Sequence, residues 1–176
     1  MNLKLSAVLA AILAAVGVFA PASQQNPIEA ARLNNLGVAY MNKQLFEKGL
    51  KAFQQAAEAD PKLAIAGLNQ GIAYLNLQKV DQAKAEFEDA LKQDPKNPNA
   101  WYGLGMLAKN TGDAEAAIDA FKYVIEIDSN DADAWYFLGT AYVQAKQFPQ
   151  AIEAFEHALK INPLHASAEL DRKSVV

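Results

Sequence analysis

The chain has 176 residues, enough for one domain of ordinary size. Charged residues make up 20% and the formal net charge is −4, a balance that offers no basic surface for nucleic acid. There is no cysteine, which removes disulfides, thiol chemistry, thiolate metal sites and a lipidated cysteine.

Met1–Ala22 differs from everything after it. Lys4 is its only charge, Leu5–Ala20 is nearly all apolar, and Ala20-Pro21-Ala22 brings small residues at an A-x-A spacing. The apolar run of about 16 residues falls short of the roughly 20 that span a membrane comfortably. Residues 1–22 therefore read as a secretory signal, with an uncleaved signal anchor as the alternative. The protein is expected to be exported, periplasmic or secreted, or else tethered by that segment. Residues 23–29 form a spacer and the first cap, in which Asn26 can accept amide hydrogen bonds and Pro27 suits a first helical turn.

From there helix A, turn, helix B and turn alternate. Helix A is predicted over roughly 28–42, 63–77, 98–111 and 132–145, and helix B over roughly 46–59, 81–93, 114–127 and 149–161. Asp60-Pro61, Asp94-Pro95, Asn97-Pro98, Gly112-Asp113 and Asn162-Pro163 punctuate them. Apolar spacing in helix B is helical, as in Ile118, Phe121, Val124 and Ile125. No stretch alternates like a strand. Two quartets keep one step of 34 residues without insertion: Gly37, Gly71, Gly105 and Gly139, and Phe53, Phe87, Phe121 and Phe155. A fixed period of this size marks a solenoid of stacked helix pairs. Each glycine costs about 1 kcal/mol inside a helix. The expected return is close approach of a small residue on helix B, since Gly49, Ala83, Ala117 and Ala151 recur at the same step.

Leu36-Gly37-x-x-Tyr40, Leu104-Gly105 and Trp135-x-x-Leu138-Gly139-x-x-Tyr142, followed by Ala151, Phe155, Ala158 and Pro163, resemble the tetratricopeptide repeat. The resemblance covers residues 30–165 as four units, 30–63, 64–97, 98–131 and 132–165. It implies an all-α fold, a right-handed α-solenoid of stacked antiparallel helix pairs. Departures are local: Gly67 and Gln70 in the second unit replace a bulky residue and a leucine, and in the third Ala108 replaces a tyrosine and Ser129 a proline.

A solenoid ordinarily closes with a solvating helix. Residues 166–176 read as an incomplete capping helix, with the pattern breaking at Asp171. Asp171–Val176 can be back-translated into the start of a common sequencing adapter, so these six residues are read as a non-native tail. A last repeat left uncovered favours self-association through its C-terminal face.

No motif carries chemistry. The carboxylates are scattered over faces expected to be solvated, and nothing buries a pair so as to split its pKa values. His157 and His165 have no partner at metal-ligand spacing. No G-x-S-x-G elbow occurs, and the glycines come one per repeat inside helices rather than in a phosphate loop. No catalytic, cofactor or metal site is expected.

The inner wall of such a superhelix is lined by the A helices, and the period gives four columns of side chains. They are Asn34, Leu68, Tyr102 and Tyr136; Val38, Ile72, Met106 and Thr140; Met41, Leu75, Lys109 and Val143; and Asn42, Asn76, Asn110 and Gln144. The last is a ladder of amides, which both donate and accept and can hold the backbone of an extended peptide. The others are largely apolar or aromatic and suit side-chain pockets. The competing reading packs Leu68, Ile72 and Leu75 between repeats and leaves the asparagines as caps. Relatives that clamp a C-terminal carboxylate use lysines, an arginine and asparagines. The matching positions here are Asn34, Val38, Asn69, Asn99 and Gly103, of which Asn69 alone fits.

The expected function is a non-enzymatic scaffold holding a protein or peptide segment in its groove, with no nucleic acid and no membrane partner beyond the N-terminal segment. The alternative makes the repeats an N-terminal targeting or oligomerisation segment of a longer secreted multidomain protein.

Overall fold

The computed structural model describes residues 25–175, so the export segment expected over Met1–Ala22 lies outside the described residues, as does Val176. All regular structure within them is helical. The helices are α1 (Pro27–Asn42), α2 (Phe46–Ala59), α3 (Ala64–Asn76), α4 (Val80–Gln93), α5 (Pro98–Thr111), α6 (Ala114–Ile127), α7 (Ala132–Gln144), α8 (Phe148–Ile161) and α9 (Ala166–Val175). They match the eight predicted A and B helices to within two residues at each end. Each helix packs on the next, and α1 also reaches α3, α3 reaches α5, and α7 reaches α9. Contacts that run only to near neighbours along the chain are the mark of a solenoid.

Two kinds of turn alternate, each with its own periodic chemistry. Between helix B and the following helix A, Asp60, Asp94, Asp128 and Asn162 leave the helix in extended conformation. Each takes the backbone N–H two residues on with its side-chain oxygen, at 2.9–3.1 Å. That bond offers the chain an alternative to another helical turn. The next helix is then capped by Asn97 in α5 and Asp131 in α7, whose side chains accept the N–H of Ala100 and Ala134. Between helix A and helix B of one unit, Gln44, Gln78, Gly112 and Lys146 take positive φ of 57°, 58°, 87° and 61°. The next residue's N–H reaches back five residues to Tyr40, Tyr74, Ala108 and Tyr142, which closes the helix end. Gly112 alone has the residue type that marks such a site in a sequence.

The core is a row of phenylalanines, Phe53, Phe87, Phe121 and Phe155, each at most 1% exposed. Burying one contributes roughly 1.5–3 kcal/mol. The helix-A glycines exist for them. A Cβ on Gly37, Gly71, Gly105 or Gly139 would lie 2.4–2.7 Å from the ring of the phenylalanine in the same unit. This corrects the expectation that the glycines admit the small residues of helix B. Gly49 does come close to Gly37, since its Cβ would be 3.3 Å from that carbonyl oxygen, but the space is taken by the ring.

The C-terminal helix also departs from expectation. α9 runs unbroken through Asp171 to Val175. Asp171 accepts a 3.1 Å bond from the Tyr136 hydroxyl, Ala168 is buried, and Val175 packs against the cluster of Ala151, Phe155, Ala158 and Ala168. Local helix formers and these contacts with α7 and α8 carry the helix past the point where the repeat pattern ends.

Candidate functional site

The inner face is made by the A helices, and it is hollowed between α3 and α5. A cavity of about 660 Å³ opens there, lined by Ile65, Leu68, Asn69, Ile72, Leu75, Asn76, Gln78, Asn99, Tyr102, Gly103, Met106 and Asn110. No charged side chain lines it. Ile72 stands 42% exposed and Ile65 40%, while Leu68 forms a buried floor.

Six of the predicted residues come together in this cavity: Leu68, Ile72, Asn76, Tyr102, Met106 and Asn110. The other six do not line it. Asn34 is buried and accepts a 2.9 Å bond from the Asn69 amide, so it joins α1 to α3. Asn42 and Lys109 lie outside the cavity lining. Tyr136 packs against Phe155 and His165, with centroids 5.9 and 4.8 Å away, and its hydroxyl is held by Asp171. Thr140 donates to the Phe137 carbonyl at 2.8 Å. The Gln144 amide donates to the Lys109 carbonyl at 3.3 Å. The amide ladder is thus partly spent inside the protein. Asn76 donates to the Ile72 carbonyl at 2.8 Å, which still leaves its oxygen as an acceptor.

Tyr102 is the side wall. Its hydroxyl donates to Asp131 at 2.9 Å, and Asp131 also caps α7. Burial first, then this bond to a carboxylate, pushes the phenol well above its ordinary pKa, so it stays neutral. The ring meets Phe121 and Phe137 edge-on, at 5.9 and 6.1 Å. With its hydroxyl engaged, Tyr102 presents a fixed aromatic surface.

Gly103 explains why the cavity is here. The Phe87 ring lies between Gly71 and Gly103, and a Cβ on Gly103 would sit 2.4 Å from it. One unit later the same position is Phe137, which stacks on Phe121 at 5.5 Å. Gly103 leaves this part of the wall without the ring that Phe137 supplies between α5 and α7. The four sequence columns leave out Ile65 and Gln78, and Asn69, Asn99 and Gly103 entered only as the positions matching a carboxylate clamp. A usable signal was a glycine outside the 34-residue glycine column. Ile65 and Asn99 share a column of their own, one turn before Leu68 and Tyr102.

The arrangement can hold an apolar side chain and bond a peptide backbone. Among the described residues, no group of three or more His, Asp or Glu is placed to hold a metal ion. Nor is any helix among them long and apolar enough to cross a membrane.

A periodic stack of helical hairpins with an open inner wall defines an α-solenoid of the kind that serves as an interaction scaffold. Three sequence profiles described as tetratricopeptide repeat match residues 30–63, 68–132 and 110–170, and the chain belongs to the tetratricopeptide repeat family. No curated protein matches it. Solved structures do. A crystal structure of MamA is 27% identical, with a TM-score of 0.69 over 79% of this chain and 81% of that one. MamA from Desulfovibrio magneticus RS-1, from residue 41 to its end, is 23% identical, with a TM-score of 0.70 over 84% and 89%. YrrB, described as a tetratricopeptide repeat protein with an unusual peptide-binding site, is 24% identical, with a TM-score of 0.69 over 82% and 74%.

Proposed function

We propose that the protein is a non-enzymatic scaffold that binds an extended, uncharged peptide segment of a partner against α3 and α5. The observation that carries this reading is the uncharged cavity of about 660 Å³ with an apolar floor and an amide rim. An aliphatic or aromatic side chain of the peptide would enter over Leu68, between Ile72 and Met106. The peptide backbone would bond Asn76, Asn99 and Asn110. A charged side chain would lose its hydration there with no partner in return, so it is selected against. An open groove of this kind binds at around micromolar strength, about −8 kcal/mol. The peptide-binding site described for YrrB is a property of YrrB; the case here rests on the groove itself.

The test is selection from a random-peptide library on the wild-type protein and on Ile72→Arg. Ile72 is 42% exposed, so its replacement should shift stability by no more than about 0.5 kcal/mol. Wild type should enrich peptides with a recurring apolar residue, and the variant should bind them at least about tenfold more weakly. Recovery of the same peptides at equal strength by Ile72→Arg would overturn the reading. The same proposal makes Met1–Ala22 an export signal, supported by its apolar run and small-residue end. Mass spectrometry of the N-terminus after cell fractionation checks it, and a full-length cytosolic chain would count against it.

A further inference from the structure

On the other side of α5 lies a second cavity, of about 520 Å³, bounded by α4 and α6. It shares no residue with the groove. Its origin is Ala108. In the other three units this column holds Tyr40, Tyr74 and Tyr142, and over each ring sits a lysine ammonium, from Lys48, Lys79 and Lys122, at 5.9–6.0 Å from the centroid. The third unit puts a methyl group where those rings stand. The cleft one unit later serves as an internal control. It is built from equivalent positions, with Trp135 for Trp101, Leu138 for Leu104 and Tyr142 for Ala108, and measures about 280 Å³. Loss of the ring opens a pocket nearly twice as large, walled by Trp101, Leu104 and Leu107.

The rim changes with the wall. Where the later cleft has Lys122, this one has Glu88, and Asp81, Asp113 and Asp119 also face it. Against these four carboxylates the lining holds one cation, Lys84, which is 60% exposed and 3.7 Å from Glu88. Trp101 contributes ring surface rather than a donor. Its indole N–H is taken by the Pro95 carbonyl at 3.0 Å, and it stacks on Tyr123 at 4.3 Å. An apolar wall under an acidic rim fits a side chain with a long aliphatic stem and a positive head, which covers apolar surface while its charge stays at the water boundary. An indole face beside that head would add cation–π attraction.

We propose that this pocket receives a lysine or arginine side chain of a protein partner, with its stem against Trp101 and Leu104 and its charge among Glu88, Asp113 and Asp119. The site is independent of the groove on the opposite side of α5, and either reading can fail without the other. The two tryptophans make the test local. In the ¹⁵N-labelled protein, the indole N–H signals of Trp101 and Trp135 report the open and the filled cleft. An end-capped peptide of alternating arginine and alanine is titrated in, beside an analogue with norleucine in place of each arginine. The Trp101 signal should move saturably while that of Trp135 stays, and raising salt should weaken binding. Ala108→Tyr, which restores the residue of the other three units, should abolish the shift. The paired exposed changes Glu88→Gln and Asp119→Asn should weaken binding roughly threefold to tenfold with the fold unaffected. A shift of Trp135 equal to that of Trp101, equal binding of the norleucine peptide, full binding by Ala108→Tyr, or no shift at millimolar peptide would each overturn the proposal.

Discussion

The junction of the second and third units and the junction of the third and fourth are built on one plan and finished differently. In both, a buried phenylalanine fills the space beneath a helix-A glycine. At the later junction Phe137 stacks on Phe121 and Tyr142 covers the outer cleft. At the earlier one Gly103 and Ala108 occupy those two positions, and a cavity opens on each side of α5. Periodic positions hold the stack together, and departures from the period open its two larger cavities.

The largest expected effect breaks the shared plan. Phe87→Ala should cost about 3–5 kcal/mol of unfolding free energy in urea. Phe87 is fully buried at the earlier junction and packed between two glycines. A change below about 1 kcal/mol would mean that the two glycines can close over the gap. Next comes Gly103→Ala, which tests why the earlier junction is open. Its Cβ would meet the Phe87 ring at 2.4 Å, so overpacking of about 1–3 kcal/mol should outweigh the roughly 1 kcal/mol gained in helix propensity. A stabilised variant would show that Gly103 is not there to make room.

A smaller effect concerns the turns that both junctions depend on. Gln78 holds φ of 58°, a conformation that costs a side chain about 1 kcal/mol, so Gln78→Gly should stabilise by up to that amount in thermal or urea unfolding. The reverse change at the equivalent turn, Gly112→Ala, should destabilise by a similar amount.

The smallest effect sharpens a third contrast, at the column of Gly67, Trp101 and Trp135. Both tryptophans stack on a ring of helix B, Tyr123 and His157, at 4.3 Å. At Gly67 there is no ring, and the Glu86 carboxylate leans in, 3.5 Å from where a Cβ would be. Burial, and secondarily Asp89, raise the Glu86 pKa above 4.5. Its charged form is therefore less favoured folded than unfolded, and its contribution to stability declines as pH rises from the unfolded pKa through the folded one. Glu86→Gln should stabilise the protein slightly at pH 7, with the gain vanishing below about pH 4.5. A gain that persisted at pH 4 would assign the effect to packing instead.

Much of the fold was legible in the chain because a repeat states its pattern several times. Eight helices, four units and the phenylalanine column follow from spacing alone. Half of the predicted groove residues do line the cavity, since a helical column keeps its bearing from one unit to the next. Three of the others are drawn away by partners elsewhere in the stack, Gln144 among them. Asn34 is drawn inward by Asn69, and Tyr136 is taken up by Asp171. These bonds join residues 35 apart, one beyond the period, so they link a unit to its neighbour.

By itself the amino-acid sequence determined that this protein is a stack of two-helix units, because local helix signals and a constant step leave one efficient way to bury the phenylalanines. Tertiary structure alone decided which side chains face solvent and where the wall opens. Those outcomes depend on what the adjoining unit sets against each position, and a glycine or an alanine reads as a cavity only once its neighbours are in place.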